Sequence, residues 1–227
     1  MMKQEEMKNT ELFDLEQTIA ARLFGMYTYP WEAVAHIGKC ITSIGKHLPE
    51  EEYQRLGKNI WIHRSARLAR SVLMTGPAII CANAEIRHGA FLRGNTIIGE
   101  GAVVGNSCEL KNVILFNGVQ VPHFNYVGDS ILGYKAHLGA GAVTSNVKSD
   151  KTLVKIHAAD GEIETGLKKA GAFLGDGVEV GCNSVLNPGT VVGRNTNIYP
   201  LSSVRGCIAP NSIYKSQDNI VEKEERE

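Results

Sequence analysis

Apolar positions along the chain follow two different periods. From Asn9 to about Gly25, Leu12, Leu15, Ile19 and Leu23 recur at three- and four-residue spacing, the stripe of an amphipathic helix. Pro30, suited to a first helical turn, opens a second such pattern through Trp31, Val34, Ile37, Ile41 and Ile44. Pro49 to Gly57 reads as a short third turn. After Gly57 the period becomes six. Ile62, Leu68, Met74, Ile80, Ile86, Leu92, Ile98, Val104 and Leu110 follow one another without a miss, and two residues before each stands a mostly small one, such as Ala66, Ala78, Ala84 or Ala102. The comb returns at Leu174, Val180, Leu186, Val192, Ile198 and Val204. A strict six fits neither a helix nor a simple strand alternation. It fits a solenoid of very short strands, with the apolar residue inward and the small residue at a tight bend. Residues 60–146 and 172–213 should supply roughly seven coils.

Between the combs, 147–171 breaks the pattern. Residues 152–157 alternate, Asp160-Gly161 signals a turn, and Ile163 leads out to Gly166, which predicts a β-hairpin standing off a corner. It serves either to clasp a neighbouring subunit or to contact substrate. The expected division is a helical segment over 1–57, a solenoid over 58–214 with the insertion at 147–171, and a charged tail over 215–227 that frays from Val221 on.

Charge changes this picture little. Twenty-four basic residues balance twenty-four acidic ones, so nothing global draws the chain to nucleic acid or to an anionic membrane, and any anion must be met locally. No apolar run is long enough to span a bilayer, and the N-terminus is polar, so a soluble, cytoplasmic protein is expected. The five cysteines, Cys40, Cys81, Cys108, Cys182 and Cys207, lie far apart with no C-x-x-C pair, and read as free thiols.

Candidate chemistry lies where the comb slips, at Leu110 to Leu115 and again at Val127 to Leu132. The segment between carries His123 and Tyr126, and a histidine on a rigid scaffold is the commonest general base near neutral pH. The other histidines, His36, His47, His63, His88 and His157 among them, have no neighbours in sequence that set them apart.

Three motifs extend this reading: Gly105-Asn106-Ser107-Cys108-Glu109-Leu110-Lys111, Pro122-His123-Phe124-Asn125-Tyr126-Val127-Gly128-Asp129, and Leu138-Gly139-Ala140-Gly141-Ala142 with Asn146. Together they resemble the acetyltransferase domain of the bifunctional N-acetylglucosamine-1-phosphate uridylyltransferase and glucosamine-1-phosphate N-acetyltransferase, and especially the β-helical half of archaeal sugar-phosphate nucleotidylyltransferases. The likeness continues through Gly166 to Asp176 and includes Tyr29-Pro30-Trp31. It implies an all-β, left-handed parallel β-helix of triangular section, a homotrimer, acetyl-CoA as co-substrate, no metal at the acetyl-transfer site, and acetyl transfer to an amino-sugar 1-phosphate. Carried over by residue, His123 is the general base and the Ala140 amide the oxyanion donor. Arg93 and Lys111 grip the phosphate, Tyr126 contacts it, Asn146 positions the amino sugar, and Lys168 or Lys169 replaces a further phosphate-binding lysine.

The chain departs from that family at three positions. His137 stands where an asparagine orients the base or thioester, Cys182 where a serine lies near the coenzyme, and Val147 where a tyrosine follows the substrate asparagine. Residues 1–57 are also too short for a nucleotidylyltransferase domain, and no Gly-rich phosphate loop is present. Two competing readings follow: a non-catalytic β-helix that binds a sugar phosphate or nucleotide-sugar and assembles with a separate nucleotidylyltransferase, and another acyltransferase or a zinc solenoid using His123 and His137.

Overall fold

A computed structural model describes residues 2–224, and the hexapeptide comb is its framework. Short parallel strands stack on three faces. The first face begins with Ile60–His63, Ala78–Ile80 and Thr96–Ile98 and continues to Cys207–Ile208. The second runs from Arg67–Leu68 through Val103–Asn106, Gln120–His123 and His137–Leu138 to Ser212–Ser216. The third runs from Leu73–Met74 and Phe91–Leu92 through Val143–Thr144 to Ser203–Val204. Register follows the comb: Ile62, Ile80, Ile98, Leu115, Leu132, Leu174, Val192 and Ile208 lie opposite one another on successive rungs. This is the all-β hexapeptide solenoid expected from spacing.

The two slips have a structural cause. Glu109–Leu115 and Tyr126–Leu132 run unbroken from the third face onto the first, with one residue fewer at the corner. Asn112 (φ 56°) and Asp129 (φ 49°) take the bend in the left-handed region that Asn and Asp tolerate best among non-glycine residues. The shortened corner brings their polar side chains beside Lys111.

The first face is apolar on its outside as well as its inside. Trp61, Ile79, Ile97, Ile114, Ile131, Phe173, Val191 and Cys207 form a register-matched outer column, and all are buried. The N-terminal segment covers this column, joining its core to that of the solenoid. The single helix expected over 9–25 is instead three pieces: α1 (Asn9–Leu12), a 3-10 turn at Leu15–Gln17 and α2 (Ala21–Phe24). Tertiary contacts override the stripe. Phe13 turns extended to pack with Phe24 and Phe116, Asn9 donates to the Phe24 and Tyr27 carbonyls, and the Asp14 amide reaches Asp176. The second helix also splits, into α3 (Pro30–Val34) and α4 (Ile37–Gly45). Gly45 lets α4 rest on the Trp61 indole, where a Cβ would collide.

Two further expectations change in extent. The third turn from Pro49 is a single one, closed by Tyr53 N–H to Pro49 O at 2.9 Å, and gives way at once to Tyr53–Arg55, a strand antiparallel to Ile60–His63 that closes one end of the solenoid. The tail is not wholly frayed: Asn219–Glu222 pairs antiparallel with Ser212–Ser216 and closes the other end, while 225–227 lie outside the described residues. Antiparallel closure removes open parallel edges that would template further pairing. The insertion is a hairpin, Lys155–Ala158 against Gly161–Glu164, leaning on the chain's own N-terminus through Ala159 N–H to Met2 O and Gln4 N–H to Asp160 Oδ1. No described helix is long and apolar enough to cross a membrane.

Candidate active site

The corner between the second and third faces stacks His88, Asn106, His123, Ala140 and Cys182 on successive rungs. The carbonyl of each accepts the N–H of the residue following its neighbour: Gly141 to His123 at 2.9 Å, Asn183 to Ala140 at 2.9 Å. Neighbouring rungs stand about 4.8 Å apart, so His123, Ala140 and Cys182 span about 10 Å of one edge. The chain turns beyond His123 at Phe124, whose φ of 53° is costly for an aromatic residue and whose ring is 63% exposed. Strain of this kind persists where the surroundings enforce it, here through buried Asn125. Asn125 Oδ1 accepts the His123 amide, and Nδ2 donates to the Gly139 and Ala142 carbonyls. The His123 backbone is therefore fixed while its side chain remains exposed.

Hydrogen bonding distinguishes His123 from the other histidines. His47, His63, His88, His137 and His157 each engage a polar group through a ring nitrogen, and His36 is stacked on Tyr27. Among the described residues neither ring nitrogen of His123 has a polar partner. One nitrogen of this ring can take a proton without first breaking a bond. The Ala140 amide likewise donates to no described acceptor, which is the condition an oxyanion donor must meet.

The opposite edge of the third face gathers the cations. Arg93 and Lys111 occupy equivalent positions on adjacent rungs, with Glu109 and Tyr126 paired beside them. Arg93 Nη1 meets Glu109 Oε1 at 2.6 Å, and Lys111 Nζ lies 3.0 and 3.1 Å from the two carboxylate oxygens of Asp129. Asp129, its side chain 4% exposed, also accepts from Asn112 Nδ2 at 2.9 Å and from Asn146 Nδ2 at 2.5 Å. Asn146 Nδ2 reaches Tyr126 Oη at 3.2 Å as well. Lys169 is exposed at the same corner, next to Ala170, whose amide bonds the Asn146 carbonyl. Arg93, Lys111, Tyr126 and Asn146 thus lie together, with the Lys169 backbone one residue from the Asn146 contact. Sequence reasoning overlooked Asp129 as their organiser, although the shortened corner and the Gly-Asp pair were its signal.

The coenzyme-side residues are more dispersed. Cys182 is exposed on the His123 edge. His137 lies on the second face, where Nδ1 is 2.8 Å from Glu179 Oε2, so it does not reach His123. Among the described residues no group of three or more His, Cys, Asp or Glu side chains converges in a metal-holding arrangement.

Residues 74–191, just over half of the chain, match the family described as the GMPPB C-terminal domain. The chain belongs to that family. The matched GMPPB C-terminal segment contains every site residue named above. The chain is 31% identical over 163 residues to a bifunctional sugar-1-phosphate nucleotidylyltransferase/acetyltransferase of Sulfurisphaera tokodaii, covering 64% of this chain and 41% of that protein. It is 35% identical over 135 residues to the bifunctional protein GlmU of Methanococcus vannielii, covering 59% and 32%. The chain therefore spans less than half the length of these two relatives. Over 210 residues it is 31% identical to the uncharacterized acetyltransferase YaiX of Escherichia coli K12, covering 83% of this chain and 90% of that one.

Proposed function

We propose that the chain is an acyl-CoA-dependent N-acetyltransferase acting on an amino-sugar 1-phosphate, of the glucosamine 1-phosphate kind, in nucleotide-sugar synthesis. The observation that carries this reading is His123, an exposed histidine with both ring nitrogens unengaged on a backbone fixed by Asn125. The names of the Sulfurisphaera and Escherichia relatives, both acetyltransferases, support it.

In this mechanism the substrate amine attacks the thioester carbonyl of acetyl-CoA, and His123 takes the proton the nitrogen sheds as the C–N bond forms. The Ala140 N–H stabilises the negative charge on the tetrahedral oxygen. Collapse re-forms the carbonyl and breaks the C–S bond, and the imidazolium returns its proton to the departing thiolate. The coenzyme lies along the edge of Ala140 and Cys182, with His137 flanking it on the second face. The sugar lies across the third face towards Asn146 and Tyr126, with its phosphate at Arg93, Lys111 and Lys169. Because Arg93 already holds Glu109, the phosphate takes that carboxylate's place, so part of the cation's attraction is offset by the pair it gives up.

The third face of a single chain is open to solvent, and its outer column includes Phe91, Val143 and Leu73, the last 60% exposed. A homotrimer would supply the missing wall. Purified protein with acetyl-CoA and glucosamine 1-phosphate should release free CoA thiol, and His123→Ala should lower that rate by about 10²-fold or more. Binding of the sugar phosphate without thiol release would point instead to a non-catalytic module working with a separate nucleotidylyltransferase.

A further inference from the structure

Two cations of the third-face cluster are matched by a carboxylate, Arg93 by Glu109 and Lys111 by Asp129, while Lys169 has no ion pair among the described residues. Further unmatched positive charge lies one rung away along the same edge. There, α4 and the corner at Pro77 and Asn95 flank an open groove of about 650 Å³, with Lys39, Ser43, Lys46 and His47 exposed along it. Lys39, Thr42, Ser43 and Lys46 line it from the helix, at spacings of three, four and seven residues that place them on one stripe, and His47 follows. No carboxylate lines the groove, and neither lysine takes part in an ion pair among the described residues. His47 Nδ1 donates to the Ser43 carbonyl at 2.9 Å, which leaves Nε2 without a described partner.

The groove is held by close packing. A Cβ on Gly38 would overlap the Asn95 side-chain amide, so glycine there is what lets α4 approach the corner. The opposite stripe of the helix, including Ile37 and Ile41, is buried on the solenoid. The groove also neighbours the cation cluster. Asn95 follows Arg93 by two residues, and the Asn112 amide bonds the Gly94 carbonyl at 3.0 Å, so the two corners are adjacent rungs about 4.8 Å apart.

We propose that this groove is a second anion site that holds a diphosphate group, Lys39 and Lys46 contributing the charge and His47 with the Ser43 hydroxyl the remaining polar contacts. A ligand with a sugar on the third face and a diphosphate in the groove would be a diphosphate-linked amino sugar. The sugar half of this assignment rests on the acetyl-transfer reading, and the anion half does not.

Calorimetry with inorganic pyrophosphate separates the two. The wild-type chain should bind one pyrophosphate in the groove. Lys39→Met with Lys46→Met should weaken that binding about tenfold or more, while Lys151→Met with Lys215→Met, exposed lysines outside both sites, changes it by less than about threefold. Uridine diphosphate glucosamine should bind the wild type more tightly than glucosamine 1-phosphate does, and the advantage should vanish in the Lys39/Lys46 double variant. Absence of pyrophosphate binding, a loss that tracks Arg93 and Lys111 instead, or equal binding of sulfate that disappears at about 0.15 M salt would overturn the proposal, the last as an adventitious ion only. Pyrophosphate binding that depends on Lys39 and Lys46 would sustain the anion site even if no acetyl transfer were found. Acetyl transfer with no pyrophosphate site would remove the groove and leave the enzyme.

Discussion

Asp129 shows how much of the candidate site depends on one buried side chain. Its two oxygens hold Lys111, Asn112 and Asn146, so it sets where the substrate-facing cation and amide stand. Asp129→Asn keeps the shape but places an NH2 group against two donors, Lys111 and either Asn112 or Asn146. It should cost about 2 kcal/mol in urea unfolding and lower acetyl-transfer turnover. Cys182 offers a test of the other edge. Burial pushes the Cys81 and Cys207 thiols up to about 12 and raises those of Cys40 and Cys108, whereas Cys182 is exposed. A disulfide reagent should therefore titrate one fast thiol in the native chain, and acetyl-CoA should slow that reaction if the coenzyme lies along the Cys182 edge. A fast rate that acetyl-CoA leaves unchanged would remove Cys182 from the coenzyme site.

At the scale of elements, the N-terminal segment acts as the lid of the first face. Eight outer-column side chains from Trp61 to Cys207 would otherwise face water, and burying one large aliphatic side chain contributes about 2 kcal/mol. Ile114 lies mid-column, fully buried, on the strand that continues from Lys111 and Asn112. Ile114→Ala should cost about 3 kcal/mol by denaturant unfolding, through lost burial and the cavity left behind. Loss well below 1 kcal/mol would mean that the helical segment collapses onto the gap or adds little to the fold. The segment matters to the site as well, because the Val34 carbonyl accepts from Asn112 Nδ2, tying α3 to the corner that holds Asp129.

For the whole molecule, the division of faces sets how copies can meet. The chain's own helices occupy the first face, and the second has a polar outer column that includes Arg67, Glu85, Gln120, His137 and Glu179. The third, with Leu73, Phe91 and Val143, is the uncovered one and the face the proposed homotrimer would use: light scattering should then give three times the mass of one chain, and Val143→Arg should shift it towards the monomer. A monomeric wild type would leave the site open and count against the acetyl-transfer reading. The sequence by itself determined the solenoid, because a period of six requires each rung to repeat the one before, and short-range spacing is enough to state that requirement. The interruption of the repeat singled out His123 and Tyr126, whereas Arg93, Lys111 and Asn146 were legible only through the family resemblance, because nothing in the period itself marks them. The hairpin was legible for the same local reason, from alternation and an Asp-Gly turn. The helices were not: the 9–25 stripe broke because Phe13 and Asn9 satisfy partners far along the chain, which no local period records. The outer apolar column lay in the sequence only in part as an 18-residue recurrence, from Trp61 through Ile79 to Ile97 and from Phe173 to Val191, and its meaning needed the cover that buries it. Only the tertiary structure decided that Lys111 is already paired, that His137 is turned to Glu179, and that Lys39 and Lys46 face a groove one rung from the third-face cluster. Charge pairing and pocket shape arise between rungs and elements, where sequence distance carries no information about proximity.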